Sequence, residues 1–186
     1  SLAGAEFRVY RDAECTVQAD VMITDEEGKA VSANLPLGTY YVKEIHASPG
    51  YQVSEKPYVV RLQYGGQTAN LVKAHLNIPQ KPQYGQISIV KQDSETGSEP
   101  QGDADLGGAV YEIHYQEPDG ELVETIQAGE GEVIAYSSDA LPLGTYYVIE
   151  KQPPQGYTLN SEALRVEVAY EGERVEIARQ QVCIQD

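Results

Sequence analysis

Apolar and polar positions alternate with a period of two along most of the chain. Ala5, Phe7 and Val9 interleave with Glu6, Arg8 and Tyr10, so a strand there has one apolar face. Tyr58 to Leu62 and Leu164 to Val168 are further β-rich runs, closed by the turn residues Gly65-Gly66 and Glu171-Gly172. Asp25-Glu26-Glu27-Gly28 and Pro118-Asp119-Gly120 are turn signals of the same kind, because Asp, Pro and Gly adopt the required backbone angles at little cost. No segment combines a helical period with helix caps. The pattern predicts an all-β protein, with short strands at the spacing of a sandwich.

One stretch occurs twice. Leu35-Pro36-Leu37-Gly38-Thr39-Tyr40-Tyr41-Val42 returns unchanged as Leu141-Pro142-Leu143-Gly144-Thr145-Tyr146-Tyr147-Val148. Each copy reaches a glutamate two residues later, Glu44 and Glu150, and then a Pro/Gly turn ending in Tyr51 or Tyr157. An identical run of this length marks a tandem of two copies of one domain. Between them, Pro79 and Pro82 disfavour a central strand and stiffen the connection. The expected domains are residues 1–82 and 83–186. Leu2-Ala3-Gly4-Ala5 aligns with Leu106-Gly107-Gly108-Ala109, which in the second copy follows a strand at Gln86-Ile87-Ser88-Ile89-Val90-Lys91. The first copy therefore lacks its opening strand. Either the chain begins part-way into that domain, or another molecule donates the strand.

Composition narrows the function. An apolar content of 41% with 23% charged residues suits folded cores rather than disorder. The net charge of −16 is uneven: residues 1–82 hold 8 Lys/Arg against 9 Asp/Glu, and residues 83–186 hold 5 against 20. Such a surface is wrong for nucleic acid, which needs a basic face. The acidic loop Asp93, Glu95, Glu99, Asp103, Asp105 matches no EF-hand spacing and reads as solvated surface. His46, His75 and His114 are too scattered to suggest a metal site, and no metal or other cofactor is expected. Cys15 and Cys183 occupy non-equivalent places in the two copies and form no disulfide framework. No apolar run approaches the roughly 18 residues of a membrane span.

Three side chains break the alternation. Lys91 falls at i+4 from Ile87 and i+2 from Ile89, on the same face of a regular strand. A lysine at a strand end ordinarily snorkels into water, so a surface position is the default expectation. Lys43 marks the outer face of its strand, which leaves Glu44 on the inner face with Tyr40 and Val42; Glu150 inherits that place beside Tyr146 and Val148. A buried carboxylate must be paired or protonated.

These features together resemble a known family. Val90-Lys91-Gln92-Asp93-Ser94-Glu95-Thr96-Gly97, then Leu106-Gly107-Gly108-Ala109, then Leu143-Gly144-Thr145-Tyr146-Tyr147-Val148-Ile149-Glu150, then Pro154-Gln155-Gly156-Tyr157, are similar to CnaB-type domains, the prealbumin-like, SpaA-type repeats of Gram-positive surface adhesins and pilins. The resemblance covers the whole second copy and the first from Leu2 onward. It implies two tandem Ig-like, prealbumin-like Greek-key β-sandwiches, and a structural, non-enzymatic stalk or shaft module of an extracellular, cell-wall-associated protein. Its partners would be adjacent domains of that protein; a host-protein or glycan ligand is the alternative. Family members often form an autocatalytic isopeptide bond, in which a first-strand lysine attacks an Asn or Asp on the last strand with help from a buried glutamate. By that implication Lys91 is the nucleophile, and Glu150 and Glu44 are the assisting acids. The third partner departs from the pattern. Asn77 matches the family asparagine, but it lies out of phase with Val72, Ala74 and Leu76, and its copy has no lysine strand. At the same offset the second copy has Cys183, which offers no carbonyl carbon; Asp186 could serve only after a shift of three residues.

Overall fold

The computed structural model describes residues 1–185, which form fourteen strands and no helix. They divide into two compact units: residues 1–82 with 172–176, and residues 83–171 with 177–185.

In the first unit, β1 (Glu6–Tyr10), β2 (Gln18–Ile23), β3 (Gly38–His46), β4 (Tyr51–Gln52), β5 (Tyr58–Leu62) and β6 (Lys81–Pro82) follow in order. Four of them make one antiparallel sheet, β2-β1-β3-β5, while β4 and β6 pair in a short separate ladder. The alternation seen in the sequence has its expected effect: Phe7 and Val9 of β1 and Tyr40 and Val42 of β3 turn to one face and form a core with Ala5. Residues 24–37 and 63–80 form no strand.

The second unit contains β7 (Tyr84–Gln92), β8 (Val110–Tyr115), β9 (Glu121–Gln127), β10 (Ile134–Tyr136), β11 (Leu141–Pro142), β12 (Gly144–Gln152), β13 (Leu164–Val168) and β14 (Ile177–Gln185). One antiparallel sheet runs β13-β12-β8-β9. The other is built around β7. On one edge β7 pairs antiparallel with β10 through Ile134↔Val90 and with β11 through Leu141↔Gly85. On the other edge it pairs parallel with β14, from Ile177↔Tyr84 to Gln185↔Gln92. The first and last strands of this unit are therefore neighbours.

Between the two sheets lies the core. Ile87 and Ile89 of β7 and Ala178 and Ile184 of β14 pack with Tyr111, Ile113, Tyr146, Val148, Val166 and Val168 from the other sheet. Ile87 and Ile89 are completely buried, each contributing roughly 1.5–3 kcal/mol by removal from water. The strand opens at a glycine for a steric reason. A Cβ on Gly85 would stand 2.1 Å from Val168 Cγ1 and 2.9 Å from the Ala178 carbonyl oxygen.

The repeated octapeptide forms the corner entering β3 and β12. Tyr40 donates its hydroxyl to the Pro36 carbonyl at 2.7 Å, and Tyr146 donates to the Pro142 carbonyl at 2.6 Å. Each tyrosine thus fixes the loop four residues before it while its ring enters the core. In the second unit that ring also meets Tyr115, with centroids 5.3 Å apart at a tilt of 56°. Burial, and then the neighbouring Tyr115, push the Tyr146 hydroxyl up to about 12, so it remains a donor throughout the physiological range. Tyr146→Phe keeps the ring and removes the donor, leaving a carbonyl without this bond. It should cost about 1 kcal/mol, read as a lowered urea midpoint with an unchanged m-value.

Candidate functional site

At the end of β7 the alternation carries Lys91 inward. Its backbone is pinned on both sides: Ile184 of β14 stands opposite it, and its N–H donates to the Val133 carbonyl at 2.8 Å. The strand does not fray into solvent here, so the side chain cannot snorkel. Lys91 is buried rather than superficial, which corrects the default expectation for a strand-end lysine. Its Nζ donates to Glu150 Oε1 at 2.7 Å, and neither side chain has any solvent exposure.

Glu150 comes from the facing sheet, opposite Tyr111 in the β8–β12 ladder. Its second oxygen, Oε2, accepts the backbone N–H of Asn160 at 3.0 Å. The first unit reproduces half of this arrangement. Glu44 is buried opposite Phe7, and its Oε2 accepts the Ser54 N–H at 2.7 Å. Its Oε1 has no hydrogen-bond partner among the described residues. The backbone clamp on each glutamate, from Ser54 or Asn160, escapes a reading of residue types, because any residue supplies an N–H. The one available signal is its constant distance from the repeated glutamate.

The last-strand candidates are placed as follows. Along β14, Ala178 and Ile184 are buried and Val182 is half-buried, whereas Cys183 is exposed beside Val90. The thiol therefore lies on the outer face of its strand, away from the Lys91–Glu150 pair. Asn77 is exposed, in the segment without strand structure. Asp186 lies outside the described residues.

Asp93, which the sequence reading put with the solvated acidic loop, is buried directly beyond β7. Its Oδ1 accepts the backbone N–H groups of Glu95 and Thr96 at 2.8 and 3.0 Å. Gln101 Nε2 donates to both carboxylate oxygens, and the Tyr157 hydroxyl donates to Oδ2 at 3.0 Å. The Thr96 and Glu95 amides, followed by the Gln101 and Tyr157 side chains, hold this carboxyl well below the usual range. The turn closes at Gly97, whose φ of +81° favours glycine, and whose backbone pairs with Asp93 in both directions. The signal was present in Asp93-Ser94-Glu95-Thr96-Gly97, a side-chain-to-backbone turn ending in glycine.

A β-sandwich that buries a first-strand lysine against a glutamate of the facing sheet, next to its own last strand, defines a class of β-domain with a lysine–glutamate pair in a dry core. The chain matches the SpaA family, described as a prealbumin-like fold domain, over residues 1–75 and 85–181, and it belongs to that family. Among solved structures it is similar to the Bacillus anthracis TIE protein, at 27% identity and a TM-score of 0.70, over 100% of this chain and 31% of that one. It also matches a streptococcal ancillary pilin, at 23% identity and a TM-score of 0.35, over 97% of this chain and 57% of that one. A C-terminal fragment of the pilus adhesin SpaC from Lactobacillus rhamnosus GG matches at 19% identity and a TM-score of 0.42, over 98% of this chain and 88% of that one. The chain thus spans less than a third of the first of these relatives and somewhat over half of the second. No curated protein matches it. Among the described residues no helix is long and apolar enough to cross a membrane.

Two measurements test the site. Lys91→Met leaves a buried carboxylate oxygen without its donor and should destabilise the second unit by about 3–5 kcal/mol; adding Glu150→Leu should recover part of that loss. Additive losses in the unfolding free energies would show that the two side chains do not interact. The second test concerns pH. Asp93 is depressed in the folded state, so its stabilisation is present above the unfolded value of about 3.9 and is lost as pH falls towards the folded value. Asp93→Asn should lower stability at neutral pH and flatten its decline below about pH 4, followed by circular dichroism.

Proposed function

We propose that the chain is a structural stalk or shaft module of a Gram-positive, cell-wall-anchored adhesin or pilin, and that its second unit is locked by an amide bond between Lys91 and Asp186. The observation that carries this reading is the dry Lys91–Glu150 pair at the end of two parallel strands, the first and last of the unit. The inward positions of β14, Val182 and Ile184, are two apart, and the same count next reaches residue 186. The exposed Cys183 falls on the opposite phase.

The step balances without any cofactor or oxidant. The Lys91 amine attacks the Asp186 carboxyl carbon, Glu150 relays the proton from nitrogen to the leaving oxygen, and one water departs. The product closes a loop of more than ninety residues, from Lys91 to Asp186. Treated like a disulfide, that closure is worth about 4 kcal/mol through the unfolded state, and it resists reduction. A stalk function also fits the family, whose relatives named above include a streptococcal ancillary pilin and a pilus adhesin.

Intact-mass spectrometry decides the chemistry. The chain should weigh about 18 Da less than its sequence mass, the mass of the water lost in the step, and tryptic fragments should join Lys91 to the C-terminal peptide. Asp186→Ala and Glu150→Ala should both restore the full mass. An unshifted mass for the unaltered chain overturns the cross-link.

A further inference from the structure

The connection between β12 and β13, residues 153–163, forms no strand, yet one of its residues ties together two parts of the second unit. The Asn160 N–H donates to Glu150 Oε2 at 3.0 Å. The Asn160 carboxamide takes no part in that bond and makes two others. Its Oδ1 accepts the Glu162 N–H at 3.0 Å, and its Nδ2 donates to the Gln185 carbonyl at 3.0 Å. One residue thus touches the buried acid of the facing sheet and the closing strand β14.

The orientation of the carboxamide follows from its partners. An N–H faces one end and a carbonyl the other, so a flipped amide would set donor against donor and acceptor against acceptor. The bond from Oδ1 to the N–H two residues on closes an Asx turn, which leaves Nδ2 aimed at β14. The first unit shows that holding the glutamate does not require this side chain. Ser54 stands 106 residues before Asn160, and its N–H donates to Glu44 Oε2 at 2.7 Å. The Ser54 hydroxyl lies 3.5 Å from that of Tyr58 instead. The backbone clamp is common to both glutamates; the reach to the closing strand belongs to the Asn160 side chain.

The contact falls where β14 needs support. Gln185 pairs with Gln92, the last residue of β7, one step beyond the Ile184↔Lys91 pair. A strand frays at such a place unless something ties it down. From one side Gln92 accepts Gln185 Nε2 at 3.4 Å, and from the other Asn160 holds the carbonyl. We propose that Asn160 is a positioning residue, which sets the end of β14 in register with the Lys91–Glu150 pair. Its effect on bond formation rests on the Lys91–Asp186 reading, because groups held in one geometry react faster. The docking of β14 stands without that reading.

The test uses the whole chain and three substitutions. Asn160→Asp keeps the oxygen that closes the turn and loses the donor to Gln185; Asn160→Ala loses both; Ser161→Ala touches neither. In an Asp186→Ala background, where no Lys91–Asp186 bond can form, both Asn160 variants should speed amide exchange at residues 182–184. The factor should be roughly three- to tenfold, the loss of one hydrogen bond. Exchange at residues 164–168 should stay unchanged, which separates release of β14 from a general loss of stability. With Asp186 in place, intact mass followed after cell-free synthesis should show the loss of about 18 Da slowed by a similar factor in both Asn160 variants. Ser161→Ala should match the unaltered chain in each measurement. A chain that never loses this mass removes the Lys91–Asp186 bond, and the exchange measurement then decides the role of Asn160. Unaltered exchange at residues 182–184 in Asn160→Asp overturns the proposal, as does an unaltered rate of mass loss where the bond forms.

Discussion

The ladder that β7 makes with its three neighbours is the constraint on which the second unit depends. A strand at the centre of a sheet satisfies backbone groups on both edges, and few strands can be removed at greater cost, because buried N–H and C=O groups must be paired. Here β7 serves β10 and β11 on one edge and β14 on the other. The first unit offers a comparison within the same chain. Its β2-β1-β3-β5 sheet is intact, as its counterpart β9-β8-β12-β13 is. The segments corresponding to β10, β11 and β14 form no strand. One sheet of the sandwich is formed in both units; the sheet around β7 is formed in the second.

The buried acid follows the same logic. Both glutamates are placed by the facing sheet and clamped by a backbone N–H at the same distance along the chain. Only the lysine comes from the opening strand. A buried ion pair is a poor device for stability alone, since apolar residues of similar volume serve as well or better. Its value lies in register. A one-residue slip of β7 would turn Lys91 outward and leave Glu150 facing an apolar core, so the pair permits a single alignment of the first strand against the facing sheet.

Much of this was legible in the sequence, for identifiable reasons. Period-two alternation revealed strands, and the octapeptide repeat fixed the equivalence of Glu44 with Glu150, because both signals depend on covalent spacing that folding cannot alter. The position of Lys91 was not legible. Whether a strand-end lysine snorkels depends on whether the strand frays, and that is decided by the distant Ile184 and Val133. The face of Cys183 was not legible for a related reason: counting from the octapeptide aligns it with Asn77, but the face it occupies is set by the parallel pairing with β7, which has no local sequence signature. Asp93 was grouped by charge with its neighbours, although its hydrogen bonds make it the cap of the opening strand.

The topology also determines how the second unit would carry load. Its opening and closing strands are parallel neighbours, so forces applied at the start of β7 and at the end of β14 pull them in opposite directions along their length. Nine register pairs from Ile177↔Tyr84 to Gln185↔Gln92 lie between those points, and in this shear geometry they are loaded together rather than peeled one at a time. A bond from Lys91 to residue 186 would change the path entirely. Tension would enter along β7, cross at the buried lysine and leave at once, so that β8 to β13 and the core they enclose would carry none of it. A cross-link at the downstream ends of both strands achieves this with the load carried along the whole of β7, and that is where the sequence places the lysine and the structure places its glutamate.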